Sequence, residues 1–298
     1  MIDFTNCTIV PGRAYNGANG SKIAIRYEGV IYMLKFPPSA AGKPTELSYT
    51  NGCISEHIAS SIFNLIGIPA QETMLGTYTV KGKEKLVCAC RDFTSVNTRF
   101  FDFCSIKNTV LDSDSNGTGT ELADIMDAIE KQKYVAPVFL KNHFWDVFIV
   151  DALLGNFDRH NGNWGFLYDE STDTASVAPV FDCGSCLLPQ ADEGIMRKVL
   201  SEEDELNARV FQFPSSALKR NGRKINYFDF LVKGNDPACD AALCRIFPRI
   251  DLGVIRSFID QVEGLSDLQR EFYKTYIQAR YDRILHPAYN KQLAKHAE

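Results

Sequence analysis

One stretch of this chain limits its architecture more than any other. Gly155-Asn156-Phe157-Asp158-Arg159-His160-Asn161-Gly162-Asn163-Trp164 crowds six polar or ionisable residues between an apolar helical run and a short strand pattern. It therefore reads as a loop held at the end of rigid elements. Nineteen residues past Asn163, the apolar run Ala178-Pro179-Val180-Phe181 ends in a carboxylate, Asp182, with Gly184 two residues on. A polar loop and a strand-end Asp-x-Gly at this separation define two edges of one site.

Phosphoryl transfer needs this combination. One carboxylate orients an acceptor hydroxyl and takes its proton, while an amide oxygen and a second carboxylate hold the magnesium that neutralises phosphate charge. Asp158, Asn163 and Asp182 meet the kinase spacing of Asp-x4-Asn followed by Asp-x-Gly. The bland alternative is a pair of Asx-rich turns capping backbone groups.

The same chemistry asks for a lysine on a strand and a glutamate on the following helix. Lys35 stands inside the apolar Tyr32-Met33-Leu34-Lys35-Phe36, where an isolated charge is costly to bury, so a partner is expected. Glu56 is the candidate and Glu46 the reserve, although Glu56 lies off the Ile54/Ile58/Ile62 stripe of its helix. Gly17, Gly20, Ser21 and Lys22 stand just before the first long strand and read either as a nucleotide loop, whose glycines would let backbone N–H groups approach phosphate, or equally as an ordinary turn. Cys90 to Phe93, with Asp92, is the expected hinge whose backbone meets the adenine, and His160 either contacts the nucleotide or braces its loop.

Residues 1–92 read as a β-rich lobe with one helix, and residues 93–298 as a mainly helical lobe, an α+β two-lobed arrangement with a cleft. Strands are predicted near 23–27, 30–36, 72–80 and 85–91, and a helix from Ile54 to Gly67. Further on, helices are predicted at 121–133 and 137–154, and a hairpin at 164–168 and 175–181. Four or five helices follow, the last over 268–285. Residues 112–120 read as a loop.

The formal charge is −5, so bulk attraction to nucleic acid or anionic lipid does not organise the function, and direct nucleic-acid binding is not expected. The local exception is Lys219, Arg220, Arg223 and Lys224, either a solvated loop or a contact for a phosphate or acidic partner. No apolar run is long enough to span a membrane and no secretory signal opens the chain, so the cytoplasm is the expected location. Nine cysteines at irregular spacing argue for a reducing compartment, and Cys183-Gly184-Ser185-Cys186 lacks the second ligand pair of a zinc site.

Together these residues resemble the HipA-like kinases, especially the shorter members. The matching pieces are Tyr32-Met33-Leu34-Lys35-Phe36-Pro37, Glu56 ahead of Gly67, Gly155 to Trp164, and Pro179 to Ser185, so the motifs span about residues 12–190. The resemblance implies a two-lobed serine/threonine protein kinase that uses ATP and Mg²⁺ and autophosphorylates, with Ser21 as the candidate site. Family members include toxins with antitoxin partners. This chain starts close to the nucleotide loop, so the extra N-terminal subdomain of the full toxin is not expected and an antitoxin partner is left open. Cys183 stands where Asp-Phe-Gly has Phe, and Asp158-Arg159-His160 also looks like the catalytic loop of phosphatidylinositol kinases. A lipid or small-molecule kinase is therefore one alternative. Against lipid, residues 184–199 carry only Arg197 and Lys198 as cations and form no basic amphipathic stretch. The non-enzymatic alternative, a nucleotide-binding pseudokinase, would be expected to lack one of the catalytic or metal residues.

Overall fold

The structure is a computed structural model, and it describes residues 1–13, 22–37, 50–111, 116–234 and 236–297. Alternating side chains in the first third build a curled sheet. Among the described residues it has six strands: β1 (Ile2–Asp3), β2 (Thr8–Ile9), β3 (Lys22–Tyr27), β4 (Val30–Lys35), β5 (Thr73–Val80) and β6 (Lys83–Arg91). Their order is β1-β5-β6-β4-β3-β2. The two-residue turn Lys81-Gly82 joins β5 to β6 with both residues at positive φ, 50° and 74°, matching the twist of a tight hairpin.

Register decides which face each side chain takes. Lys35 pairs with both Lys22 and Cys88, and Met33 pairs with Cys90. The period of two therefore puts Lys35, Cys88 and Cys90 on one face and Leu34 and Ala89 on the other. The outer face is closed by a small core of Phe4, Ile25, Leu34, Phe36, Val87 and Ala89. The inner face receives helix α1 (Gly52–Ile66), which also packs against a helix of the second lobe. Burial from both sides explains why α1 hides Ser55, Glu56 and Ser60 as well as its isoleucines.

The larger lobe opens with a strand and helix that the sequence reading had not separated, β7 (Thr98–Asp102) and α2 (Phe103–Leu111). Helices α3 (Leu122–Lys131) and α4 (Pro137–Leu154) follow, then β8 (Gly165–Asp169) and β9 (Thr174–Val177). β7, β8 and β9 form a three-stranded antiparallel sheet rather than an isolated hairpin. β9 stops short of its expected end, because Pro179 has no N–H to offer a ladder. Val180 instead accepts from Gln71 N at 2.8 Å and donates to Pro69 O at 2.9 Å, which docks the strand leading to Asp182 onto the first lobe.

The rest is helical: α5 (Glu193–Ser201), α6 (Glu203–Asn207), the small hairpin β10 (Lys219–Arg220) and β11 (Arg223–Lys224), then α7 (Pro237–Ile246), α8 (Leu252–Gln261), α9 (Asp267–Arg280) and α10 (His286–Ala297). α8 is the helix that meets α1. The last predicted helix does not end at Leu285. A π-helical turn, Tyr281–Leu285, carries α9 into α10, and Pro287 is tolerated because it falls in the first turn of the new helix.

Helix α4 is apolar on nearly every side and is continuously buried over its last eight residues, Val147 to Leu154, so it is the rigid stem of the Asp158 loop. It ends at Gly155, whose φ of +65° favours glycine. A Cβ there would lie 2.1 Å from Tyr276 Oη and 2.8 Å from Pro214 Cγ. Gly155→Ala should therefore cost about 2–4 kcal/mol, more than the ~1–2 kcal/mol of the left-handed backbone alone. Chemical denaturation reads this directly; a variant as stable as wild type would show that the loop can leave this packing freely.

Candidate active site

Strand β4, helix α1 and the end of the Ala178–Asp182 segment converge on one ammonium group. Lys35 Nζ donates to Glu56 Oε2 at 2.7 Å and to Asp182 Oδ1 at 2.8 Å. The lysine side chain is 12% exposed, Glu56 0% and Asp182 39%, so the cluster is closed on the helix side and open on the Asp182 side. Burial alone would lower the pKa of Lys35, but Asp182 and Glu56 outweigh it and hold the lysine well above its usual value. The adjacent Lys35 charge, against the opposing effect of burial, pulls the Asp182 carboxyl down to about 2. Lys35 and Asp182 are therefore both charged at neutral pH. Lys22 sits cross-strand from Lys35, and burial followed by the Lys35 charge lowers its pKa.

Glu56 is fixed from a second direction. Its Oε1 accepts from Cys183 N at 3.1 Å. Gly184 permits that approach: a Cβ there would stand 3.1 Å from Glu56 Oε2 and 3.4 Å from Gly52 O. This is a physical reason for glycine in the Asp-x-Gly motif. Asp182 itself has a φ of +56°, a conformation aspartate tolerates better than most residues and one that turns the chain sharply after the strand.

The Asp158 loop is tied internally. Asp158 N donates to Asn156 Oδ1 at 3.0 Å, and Asp158 O accepts from His160 N at 2.8 Å and Asn163 Nδ2 at 2.8 Å. The last bond turns the amide nitrogen of the buried Asn163 toward the backbone and leaves its oxygen as the end suited to a cation. Burial raises the Asp158 carboxyl above its usual value; His160 opposes this and the Asp182 charge adds to it. His160 is exposed, and its Nδ1 accepts from Gly162 N at 3.1 Å, so it braces its own loop.

Two residues that the sequence reading passed over hold this arrangement together. Arg159 is buried and donates to both carboxylate oxygens of the buried Asp151, at 3.1 and 3.2 Å. Its Nη1 reaches Asn163 O at 3.3 Å and also Phe181 O, so one guanidinium joins the loop to the residue before Asp182. Asp151 also accepts from Asn156 Nδ2 at 2.9 Å. The available signal was Asp151 itself, a carboxylate inside an apolar helix, which demands a cation.

The remaining expected residues are those of the hinge segment and the nucleotide loop. Cys90 is fully buried on the inner face of the sheet. Asp92 donates its N–H to Ile31 O at 2.9 Å, while its carboxylate takes Thr94 N at 2.9 Å and Arg13. Cys90 is enclosed in the sheet and the Asp92 carboxylate is engaged by Thr94 and Arg13, which is compatible with a base contact through the main chain of this segment. Beside it, Phe93, Phe100 and Phe181 form a cluster with ring centroids 5.3–5.8 Å apart, adjoining Asp182. Gly17, Gly20, Ser21 and the reserve partner Glu46 lie outside the described residues. Among the described residues no group of three or more His, Cys, Asp or Glu side chains could hold a metal by itself. The donors on hand, one carboxylate and one amide oxygen, suit a hard divalent cation that completes its shell with phosphate oxygens and water.

Residues 17–229 match the family model described as the HipA-like C-terminal domain. The chain belongs to this family. The Helicobacter pylori serine/threonine-protein kinase CtkA is 48% identical over 293 residues, covering 98% of this chain and 89% of that protein. The crystal structure of the H. pylori proinflammatory kinase CtkA superposes with a TM-score of 0.92 at 47% identity, over 99% of this chain and 98% of that one. A more distant likeness, for fold alone, is Shewanella oneidensis HipA solved with HipB and operator DNA, with a TM-score of 0.54 at 18% identity, over 95% of this chain and 70% of that one. The two-lobed HipA-like kinase fold is thus the fold of this chain. Among the described residues, no helix is long and apolar enough to cross a membrane.

The Lys35 cluster makes a measurable statement. Lys35→Met removes the largest of the charges that depress Asp182 and leaves burial opposed only by the smaller effects of Lys22 and Arg159, so the Asp182 carboxyl should titrate above its present value of about 2. Carbon-detected NMR of the carboxyl groups reads that titration. An Asp182 resonance unmoved by the substitution would break the assigned coupling.

Proposed function

We propose that this HipA-like kinase transfers the γ-phosphate of ATP, with Mg²⁺ as its metal, to a serine or threonine hydroxyl on a protein. The observation that carries this reading is Lys35 held between Glu56 and Asp182, at 2.7 and 2.8 Å, beside the Asp158 loop. It is supported by the 48% identity to a serine/threonine protein kinase over nearly the whole chain. Residues 1–92 act as the lobe that holds the nucleotide and residues 93–298 as the lobe that holds metal and acceptor.

Each group has one task. Lys35, and Lys22 across the strand pair, meet the phosphates; Glu56 positions Lys35. The Phe93/Phe100/Phe181 cluster offers an apolar wall to the base. Asn163 and Asp182 are the metal ligands, and a metal bound there neutralises charge on the phosphates during transfer. Asp158 accepts the acceptor's hydroxyl proton as the new oxygen–phosphorus bond forms and the bond to the β-phosphate bridging oxygen breaks. Arg159 and Asp151 are positioning residues: they hold Asn163 and Phe181, and so Asp182, in register. Burial of Asp158 suits its task, because a carboxyl with a raised pKa is a better base than an exposed one. Ser21, in the nucleotide loop, is the proposed site of autophosphorylation.

Incubation with γ-labelled ATP and a cell extract, followed by mass spectrometry, tests the reading. Label should appear on protein serine or threonine; label on lipid alone, or on nothing, would refute it. Asp158→Asn should keep ATP binding and lower turnover by ~10²–10⁴-fold. In the wild type, kcat/KM should fall on the acid side through a pKa above the ordinary aspartate value of 3.8, since the base must be ionised and burial raises it. Asp182→Ala should weaken magnesium-dependent nucleotide binding more than Asn163→Ala does, because it removes the charged ligand. Calorimetry with and without magnesium separates the two, and equal losses would argue against the division of roles.

A further inference from the structure

The basic hairpin β10–β11 is built in a way that folding does not explain. Its register sets Lys219 opposite Lys224 and Arg220 opposite Arg223, all four exposed. Like charges directly opposite across a strand pair destabilise it. The arginine pair is partly relieved: Arg220 lies over the Phe230 ring at 4.6 Å and reaches Asp236 at 3.6 Å. Among the described residues no carboxylate forms an ion pair with Lys219, Arg223 or Lys224. The tip is already satisfied, since Asn221 N and Gly222 N donate to the two carboxylate oxygens of Glu121 at 2.6 and 3.1 Å. Lys219 N also donates to Thr120 O at 2.8 Å. The hairpin is thus held rigid while neither lysine has an ion-pair partner among the described residues, and only the more distant charge of Asp158 acts on Lys224.

The hairpin also borders the catalytic loop. The segment before it places Phe213, 42% exposed, against Phe157 with ring centroids 5.6 Å apart, and Phe157 immediately precedes Asp158. The segment after it carries Tyr227, whose hydroxyl donates to Asn156 O. Lys224 lies close enough for its charge to favour the ionised form of Asp158. An acceptor residue presented to Asp158 would therefore bring its neighbours in sequence past Phe213 and the lysine pair.

The geometry points to the Lys219/Lys224 face as a docking surface for acidic residues that flank the phosphorylated serine or threonine. This inference rests on Asp158 being the group that faces the acceptor. A carboxylate seated between the two lysines relieves their repulsion as well as pairing with each, so it gains more than an ordinary exposed ion pair. The chain's net charge of −5 adds selectivity, because acidic segments are repelled from most of the surface and attracted here.

The test uses the full chain with Mg·ATP and three peptides that share one serine but carry Glu, Ala or Lys flanks. For wild type, the acidic peptide should show a KM about tenfold below the neutral one, on the scale of a few exposed ion pairs. That gap should shrink as salt is raised. Lys219→Ala/Lys224→Ala should erase the gap while its thermal midpoint stays level or rises, since a repulsive pair has been removed. Equal KM values for the three peptides in wild type, or a gap that survives in the double variant, would overturn the docking surface and leave the kinase reading intact. A short RNA that binds wild type but not the variant, with no charge preference among peptides, would overturn it in favour of a nucleic-acid contact. No transfer to any peptide or protein by a folded chain would remove the kinase reading and the docking surface with it.

Discussion

The structure depends on one buried cation with two anionic partners of unequal freedom. Lys35 meets Glu56, which is sealed in the interior, and Asp182, which is open to the cleft. Breaking a buried pair by removing one partner typically costs ~3–5 kcal/mol because a charge is left uncompensated. The Lys35–Glu56 bond is thus a fixed part of the fold, whereas under the proposed kinase reading the bond to Asp182 would be exchanged for phosphate oxygens. That exchange would turn a structural contact into a ligand contact. It would release Asp182 for a metal when a nucleotide supplies the anion that Lys35 then needs. Glu56, also bonded to Cys183 N, keeps the lysine aimed throughout.

A second buried pair does for the other lobe what Lys35–Glu56 does for the first. Asp151 and Arg159 neutralise each other beneath the catalytic loop, and the guanidinium spreads its remaining donors over the backbone of Asn163 and Phe181. Asn156 and Tyr227 close the same network from the side of β11. The two networks meet at Phe181-Asp182-Cys183, whose successive residues touch Arg159, Lys35 and Glu56. The lobes are further joined where Asn51 Nδ2 donates to Ala191 O at 2.7 Å and Asn51 N to Pro189 O at 3.1 Å. Because the site is braced from both lobes, its polar groups need little rearrangement to meet a charged ligand, the condition under which electrostatic stabilisation is most effective.

Much of this was legible in the sequence where local pattern and tertiary demand agree. Helix α4 runs from Pro137 to Leu154, between a proline suited to a first turn and a glycine suited to a left-handed cap, and both ends are visible without coordinates. Lys35 stood out because a lysine in an apolar strand requires a partner. Glu56 was harder, since one hydrophobic stripe implies one buried face and α1 is buried on two. Arg159 looked like another polar residue of a loop; only the path of the chain reveals that Asp151, one helical turn upstream of Gly155, lies under it. Strand β7 escaped notice because Thr98–Asp102 has a pair of adjacent phenylalanines instead of an alternation, and α2 because Phe103 to Leu111 is short and starts where the strand stops. The end of α9 was misplaced because a π-helical turn has no sequence signature of its own.

The most direct measurement is a crystal structure of the chain with magnesium and a non-hydrolysable ATP analogue. The account predicts that Lys35 keeps Glu56, gives up Asp182 and contacts the phosphates. Asp182 and the Asn163 amide oxygen should then share the metal, with the Asp158 carboxylate facing the γ-phosphate across a gap wide enough for one hydroxyl. A nucleotide bound elsewhere, or bound in the cleft with the Lys35–Asp182 contact intact and no metal at Asp182, would contradict it.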